Sequence, residues 1–512
     1  MKKYFFLVCS YASLFSVPIN TLIVAKTGSS VEGHEGVVSD LLSAKSKKRL
    51  QEFIGKEISQ KTLHLIKEMA LACINEQGDY AVKAFYPKQD VSAGNIFLSI
   101  SVPTVETFEI KGNRWEKDAF YENRLAPKKN ESFQSSQILN EVAWLNRNPF
   151  RYAEVVVSPG EMDDTVDVDL LIKDRFSFRP FAGADNTGTD LTHRTRLFAG
   201  YTWGKPFGRD DVMTYQYRAS PDLNQFSSHN GSYQIFLPWK HELMMSGGYS
   251  VTQPDVEDFF HEAISVQASL RYAIPFYPLF AETKQAVTLG VDYKNLNSNV
   301  FYIEKSPANV VSSHQVNLSQ LYFGYLWKRK FVANIELFIS PAQILPNQSE
   351  KKYSQLRPQS SVLYGYGKIL LNDSYGKADF FSWTLRAQCA TGPLLPSEQF
   401  GLGGIGTVRG YTERRFNADN AICINAEIAP LKMSIFKQDR LILLAFSDFG
   451  FGFNYQVQDL AQKSQYLWSV GFGAKYQFST FISLNADYGV QLRHLYQDID
   501  LGRFHVNMAV SY

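Results

Sequence analysis

From Phe176 to Tyr512 the side chains alternate in character residue by residue, and no convincing helix is read there. Phe381, Trp383, Leu385, Ala387 and Cys389 fall on one face of an extended run, with Ser382, Thr384, Arg386 and Gln388 on the other. The pattern returns with Val287, Leu289, Val291 and Tyr293 against Thr288, Gly290, Asp292 and Lys294. It returns again with Trp468, Val470, Phe472, Ala474, Tyr476 and Phe478 against Ser469, Gly471, Gly473, Lys475 and Gln477. A soluble sandwich also alternates, but with an aliphatic inner face and a polar outer one. Here the apolar face is rich in aromatics, and the other carries glycine, serine and isolated charges, as a wet lumen does. In lipid only helices and closed barrels satisfy every backbone group. The alternation therefore predicts a closed membrane β-barrel over 176–512. At roughly 10 residues per strand plus connections, that length holds about 16 antiparallel strands.

Composition agrees. Aromatic residues make up 14% of the chain, yet outside the N-terminus no run reaches the ~18 apolar residues that a spanning helix needs. Lys and Arg total 52 against 50 Asp and Glu, a balance that gives no footprint for nucleic acid. The 33 Gly, 20 Pro and four Cys exclude collagen, general disorder and a disulfide scaffold. Cys73, Cys389 and Cys423 read as small hydrophobes, and Cys9 lies too early for lipid attachment.

The N-terminus reads as an export leader. Lys2 and Lys3 precede a mostly apolar stretch from Tyr4 to Pro18, and Ile23-Val24-Ala25 is a fair cleavage match, so 1–25 is expected to be a signal peptide. Two small α/β modules follow, at 26–104 and 105–175, each strand–helix–helix–strand–strand. In the first, an extended start from Leu22 to Val31 precedes a helix that carries Leu63, Ile66, Met69, Ala70, Cys73 and Ile74 on one stripe and stops at Gly78. Strands at Tyr80–Tyr86 and Ile96–Val102 come next. In the second, Phe108–Ile110 is a strand, Ser135-Ser136 caps a helix, and Ala153–Val157 and Val166–Ile172 are strands. The alternative is one larger α/β domain with an accidental repeat.

The most specific stretch is Gly401-Leu402-Gly403-Gly404-Ile405-Gly406-Thr407-Val408-Arg409-Gly410-Tyr411. Gly401, Gly403 and Gly406 match G-x-G-x-x-G, but a dinucleotide site needs that motif to follow a strand and open a helix, and Pro393 and Pro396 precede it. Val408-Arg409-Gly410-Tyr411 resembles instead the VRG[FY] signature of outer-membrane transporters that join POTRA domains to a 16-stranded barrel. Phe446-Ser447-Asp448-Phe449-Gly450 resembles their F-x-D-x-G barrel-wall motif. Within that superfamily the chain is most similar to the two-partner-secretion transporters (hemolysin secretion/activation proteins, TpsB), which carry two POTRA domains. Pro87-Lys88-Gln89-Asp90 with Gly94, Leu145-Asn146-Arg147-Asn148-Pro149, Ser158-Pro159-Gly160 and Asp185-Asn186-Thr187-Gly188 support the likeness.

The resemblance implies a membrane β-barrel preceded by two small α/β POTRA-type periplasmic domains. It implies that the loop 392–419 folds back into the barrel, with Val408, Arg409, Gly410 and Tyr411 as its motif. Phe446, Asp448 and Gly450 would form the wall partner. Glu427, on the next strand and of the same parity as Cys423 and Asn425, is a second possible partner for Arg409. An ordinary surface arginine in an extracellular loop is the alternative. The implied function is translocation of an unfolded exported partner, a TpsA-like passenger, through the outer membrane. The exposed edges Tyr80–Tyr86 and Ala153–Val157 are candidates to catch it by strand addition.

Members of this family often carry an N-terminal plug helix and linker, and here the first module starts almost at the leader's end. Outer-membrane lipid is the expected surround. The barrel-assembly machinery is the expected reader of the last strand, where Phe504, Val506, Met508, Val510 and Tyr512 alternate with His505, Asn507, Ala509 and Ser511. A barrel-assembly factor of the same superfamily and a passive porin are the rival functions. No enzyme, cofactor or metal is expected. His241-Glu242 and His261-Glu262 lack a second histidine, Asp163-Asp164 with Asp167 and Asp169 fits no calcium loop, and no nucleophile elbow or P-loop occurs.

Overall fold

The computed structural model describes residues 17–27, 36–76, 82–125, 131, 133, 135–162, 164–256, 259–276, 283–302, 310–376, 379–456, 463–495 and 500–512. One compact unit lies within the residues up to Arg175, and a second begins at Phe176.

The first unit holds two sheets. β1 (Thr21–Lys26), β2 (Gly36–Ser39), β3 (Lys83–Phe85) and β4 (Asn95–Ser101) pair in the order β2-β1-β4-β3. α1 (Ala44–Leu50) and α2 (Gln60–Asn75) cover the sheet. Ser59 caps α2 by accepting the Thr62 N–H at 3.1 Å. Ile66, Ala70, Cys73 and Ile74 of α2 share one buried core with Leu22, Val24, Ile96, Leu98 and Ile100. β1 is a central strand, parallel to both neighbours. The expected leader boundary after residue 25 thus falls inside a core strand, and a cut there would remove Leu22, Val24 and Ala25 from a packed interior. The strand expected at Tyr80–Tyr86 is described only as Lys83–Phe85, residues 80–81 lying outside the described residues.

The second sheet contains β5 (Thr104–Lys111), β6 (Arg151–Pro159) and β7 (Thr165–Asp174) in the order β5-β7-β6. α3 (Asp118–Leu125) and α4 (Ser135–Leu145) pack on it through Tyr121, Leu125, Ile138, Val142 and Leu145. Among the described residues β6 pairs with β7 alone and is an edge, with Tyr152, Val156 and Val157 exposed. Beside β6 and α4 runs a mainly apolar groove of about 490 Å³, lined by Phe133, Ile138, Leu139, Val155 and Val157 among others.

The second unit is a closed antiparallel barrel. Its strands begin with β8 (Phe178–Asp185), β9 (Arg196–Gly204), β10 (Val212–Ala219), β11 (Phe226–Phe236), β12 (Glu242–Thr252) and the two-residue β13 (Asp255–Val256). They continue with β14 (Phe259–Phe276), β15 (Lys284–Tyr302), β16 (Val310–Lys328), β17 (Val332–Ser340), β18 (Tyr364–Tyr375) and β19 (Phe381–Ala390). β20 (Phe400–Leu402) and β21 (Phe416–Ala418) form a small separate hairpin inside one connection. β22 (Asn420–Met433), β23 (Asp439–Phe453), β24 (Ser464–Phe478), β25 (Ile482–Gln491) and β26 (Gly502–Ser511) complete the wall, and β26 pairs with β8. Setting aside β13, 16 strands close the barrel.

Alternation is resolved into outside and inside as the two-residue period requires. Leu289, Val291, Trp468, Val470, Phe472, Phe504, Met508 and Val510 are exposed, whereas Asp292, Ser469, Asp487 and His505 are buried. An apolar, aromatic outer band over a polar interior is the surface that a bilayer selects. Cys389 is exposed, and Cys73 and Cys423 are buried.

One expectation is corrected. A helix does interrupt the β region: α5 (Glu350–Leu356) lies in the connection between β17 and β18. Tyr353 anchors it, fully buried, with its hydroxyl donating to the Asn317 carbonyl at 2.9 Å. Packing against Val316, Leu318, Tyr364, Leu394 and Leu395 holds this short helix, because seven residues cannot sustain one alone.

Candidate functional site

The connection from β19 to β22 turns back onto the inner wall and is held along its length. At its base Asp419, fully buried, receives the Arg357 guanidinium through both terminal nitrogens, Nη2 to Oδ2 at 2.6 Å, and the Leu394 N–H at 3.0 Å. Arg357 follows α5, so the two long connections at this end of the barrel are joined. Nearby Glu398, its side chain sealed from solvent, accepts from Lys294 Nζ at 2.8 Å, Gln320 Nε2 at 2.8 Å and the Tyr366 hydroxyl at 2.7 Å.

At the tip Arg409 is 5% exposed and Asp448 is 0% exposed. Arg409 Nε donates to Asp448 Oδ2 at 2.7 Å and Nη2 to Oδ1 at 2.9 Å. Its own backbone N–H reaches Oδ2 at 3.1 Å. The remaining nitrogen, Nη1, donates to Glu427 Oε1 at 2.7 Å and to Asp487 Oδ2 at 3.4 Å. The guanidinium lies over the Phe446 ring, 3.5 Å from its centroid. Only a planar fork can serve three carboxylates and an aromatic face at once. Glu427 also takes Lys475 Nζ at 2.8 Å, so three carboxylates face two cations.

The rest of the motif sets that arginine in place. Val408 and Tyr411 are fully buried. Tyr411 donates its hydroxyl towards the Arg493 carbonyl at 2.6 Å and the Trp468 carbonyl at 3.0 Å, and accepts the Trp468 N–H at 3.2 Å. Gly410 has φ +91° and lies against Gly489 of β25. A Cβ on Gly410 would come 2.9 Å from the Gly489 carbonyl carbon, and a Cβ on Gly489 would come 2.6 Å from Gly410 N. Two glycines are what allow the crossing. Gly450 leaves room for Leu402 and Val408 in the same way. Gly410 is further held by His505 Nε2, which accepts its N–H at 3.0 Å, and by Gln491 Nε2, which donates to its carbonyl at 2.9 Å.

All eight candidate residues therefore meet at one place on the inner wall. Asp487, His505, Gln491 and Lys475 were not singled out from sequence. Their inward parity on alternating strands is the one signal that marks them, and every lumen-facing residue shares it. Beside the cluster is a polar cavity of about 430 Å³, lined by Arg386, Asn425, Glu427, Lys475, Asn485 and Asp487 among others.

Residues 164–476 match the family model described as haemolysin secretion/activation protein ShlB/FhaC/HecB. The chain belongs to this family. As a haemolysin secretion/activation protein it is a two-partner-secretion transporter: an outer-membrane β-barrel, preceded in sequence by two small α/β modules, that moves a secreted partner protein across that membrane. It is similar to the heme/hemopexin transporter protein HuxB of Haemophilus influenzae (strain 86-028NP), 22% identical over 90% of this chain and 83% of that one. Its fold matches that of CdiB from Escherichia coli with a TM-score of 0.77 at 16% identity, over 98% of this chain and 92% of the other. It also matches CdiB from Acinetobacter baumannii with a TM-score of 0.70 at 16% identity, over 97% and 90% of the two chains.

Proposed function

We propose that this transporter takes its unfolded partner at the edge of β6 and passes it through a lumen whose resting shape is set by the Arg409 loop. A leader ending before Val17 would export the chain, leaving β1 whole. The modules at 26–104 and 105–175 would work in the periplasm. The β6 edge and its apolar groove suit an extended segment, whose backbone adds to the sheet while alternate side chains enter the groove. Lipid would surround the aromatic outer band, and the barrel-assembly machinery would read β26 and Tyr512. The chain would act as a conduit without catalysing a reaction. Net direction would come from folding of the partner outside the cell.

The observation that carries this reading is the Arg409–Asp448 pair, buried in the lumen and shared with Glu427 and Asp487. Removing one member of a buried pair leaves an uncompensated charge, so such a pair fixes position more than it adds stability. Arg409→Ala and Asp448→Ala should each lower export of the partner at matched barrel abundance. Undiminished export by both variants would defeat the role given to the loop.

A further inference from the structure

The Asp185-Asn186-Thr187-Gly188 segment has no part in the contacts described so far. It stands where the barrel closes. The seam between β8 and β26 has five residue pairs, from Phe181↔Ser511 to Asp185↔Asn507, whereas β8 pairs with β9 over all of its eight residues. Beyond Asp185 strand β8 stops, and Asn186 continues the pairing in another way. Its backbone N–H donates to the Val506 carbonyl at 3.2 Å. Its side-chain Nδ2 donates to the Phe504 carbonyl at 2.7 Å, and its Oδ1 accepts the Val506 N–H at 2.9 Å. A carboxamide has the donor and acceptor of a peptide group, so this side chain extends the ladder by one step.

The residue enclosed by that grip is His505. It is buried, and its Nε2 accepts the N–H of Gly410, the residue after Arg409. Asn186 is itself fixed on both sides. Asp185 accepts from the Thr187 N–H at 3.0 Å and hydroxyl at 2.5 Å, and from Arg218 Nη2 at 2.5 Å. Gly188 lies against Arg196, whose Nη1 would be 2.6 Å from a Cβ there. We propose that Asn186 is a positioning residue for the Arg409 loop: it holds the final strand around His505, so that Gly410 keeps its acceptor and closure of the seam is coupled to seating of the loop. The inference rests on the reading of the 391–419 connection as the element that sets the resting lumen.

Without the Asn186 amide the Phe504 carbonyl and Val506 N–H lose their partner across the seam, and the end of β26 is free to fray. His505 then leaves its place, and a buried Gly410 N–H is left without an acceptor, a state proteins avoid. The loop tip spends more time away from its seat. Arg179 provides the comparison. It ties the other end of the same seam, with Nη2 donating to Ser511 Oγ at 2.8 Å and to the Thr480 carbonyl at 2.9 Å, and it has no route to His505.

The test is single-channel recording of the purified full-length protein in planar lipid bilayers, with heat-modifiable migration as the check that the barrel is closed. Asn186→Ala and His505→Ala should each raise the frequency of large openings several-fold, and the double variant should open no more often than His505→Ala alone. Asn186→Asp keeps the acceptor and loses the donor, so it should fall between wild type and Asn186→Ala. Arg179→Ala should open as rarely as wild type. The inference is overturned if Asn186→Ala opens no more than wild type, if its effect multiplies with that of His505→Ala, or if Arg179→Ala opens equally often. Should Asn186→Ala yield no closed barrel, Asn186→Asp alone and combined with His505→Ala decides by the same criteria. Arg409→Ala separates the two readings. Failure of that variant to increase opening defeats the loop's assigned role, whereas frequent opening by it with a silent Asn186→Ala defeats this inference alone.

Discussion

Asp448 receives three hydrogen bonds from Arg409, two from the guanidinium and one from that residue's own backbone N–H. One carboxylate thus fixes both the side chain and the main chain of the loop tip. Arg409→Lys keeps the charge and loses the fork. It should retain one bond to Asp448 and lose the bridge to Glu427 and Asp487. Export should fall to a level between wild type and Arg409→Ala, measured as secreted partner per folded barrel.

Asp448→Asn removes the charge and keeps the shape. It leaves the buried Arg409 without its main counter-charge, a change that costs ~3–5 kcal/mol when a buried pair is broken. Urea unfolding in detergent or lipid should show the loss. A midpoint equal to wild type would mean that Glu427 and Asp487 take over.

Tyr411→Phe removes one hydroxyl that serves the Arg493 carbonyl, the Trp468 carbonyl and the Trp468 N–H. The Trp468 carbonyl keeps the Leu492 N–H at 2.8 Å, but the Trp468 N–H and the Arg493 carbonyl lose this partner, at a cost of ~1–3 kcal/mol. The same unfolding measurement should register that loss while the barrel still assembles.

Arg357→Ala separates α5 from the base of the Arg409 connection. Asp419 keeps its backbone N–H donors, including Tyr455 N at 3.0 Å, but loses its charge partner. The segment 341–363 should become more open to protease added outside intact cells. Cleavage no faster than in wild type would show that Tyr353 packing alone holds it.

Val157→Asp places a charge on the exposed edge strand beside the apolar groove. Exposed substitutions of this kind change stability by less than about 0.5 kcal/mol. Barrel abundance should therefore stay constant while export falls. Unchanged export would remove β6 as the receiving edge.

The barrel is legible in the chain because a period of two, with aromatics on one face, admits few folds in lipid. The Arg409–Asp448 meeting is legible through the two motifs. Asp487 and His505 are not, since their roles depend on which strands the loop crosses, and that register is set by pairings far apart in sequence. α5 escapes notice because Tyr353 and Leu356 form too short a stripe, and packing by Leu394 and Leu395 supplies what propensity does not. β1 was cut by the expected leader boundary because a buried strand such as Leu22-Ile23-Val24-Ala25 has the composition of a leader's end. Three of the family-like motifs share a device that only the folded chain reveals. Gln89 exchanges two hydrogen bonds with the backbone of Phe97, Asn146 does so with Ala153, and Asn186 grips the chain around His505.

The excess of carboxylates around Arg409 has a mechanical meaning. Were a passing segment to push the loop aside, Asp448, Asp487 and Glu427 would be left facing Lys475, and the wall would become electronegative. That field would draw a displaced guanidinium home, so a transit that unseats the loop would end with an electrostatic recoil that resets the conduit without fuel.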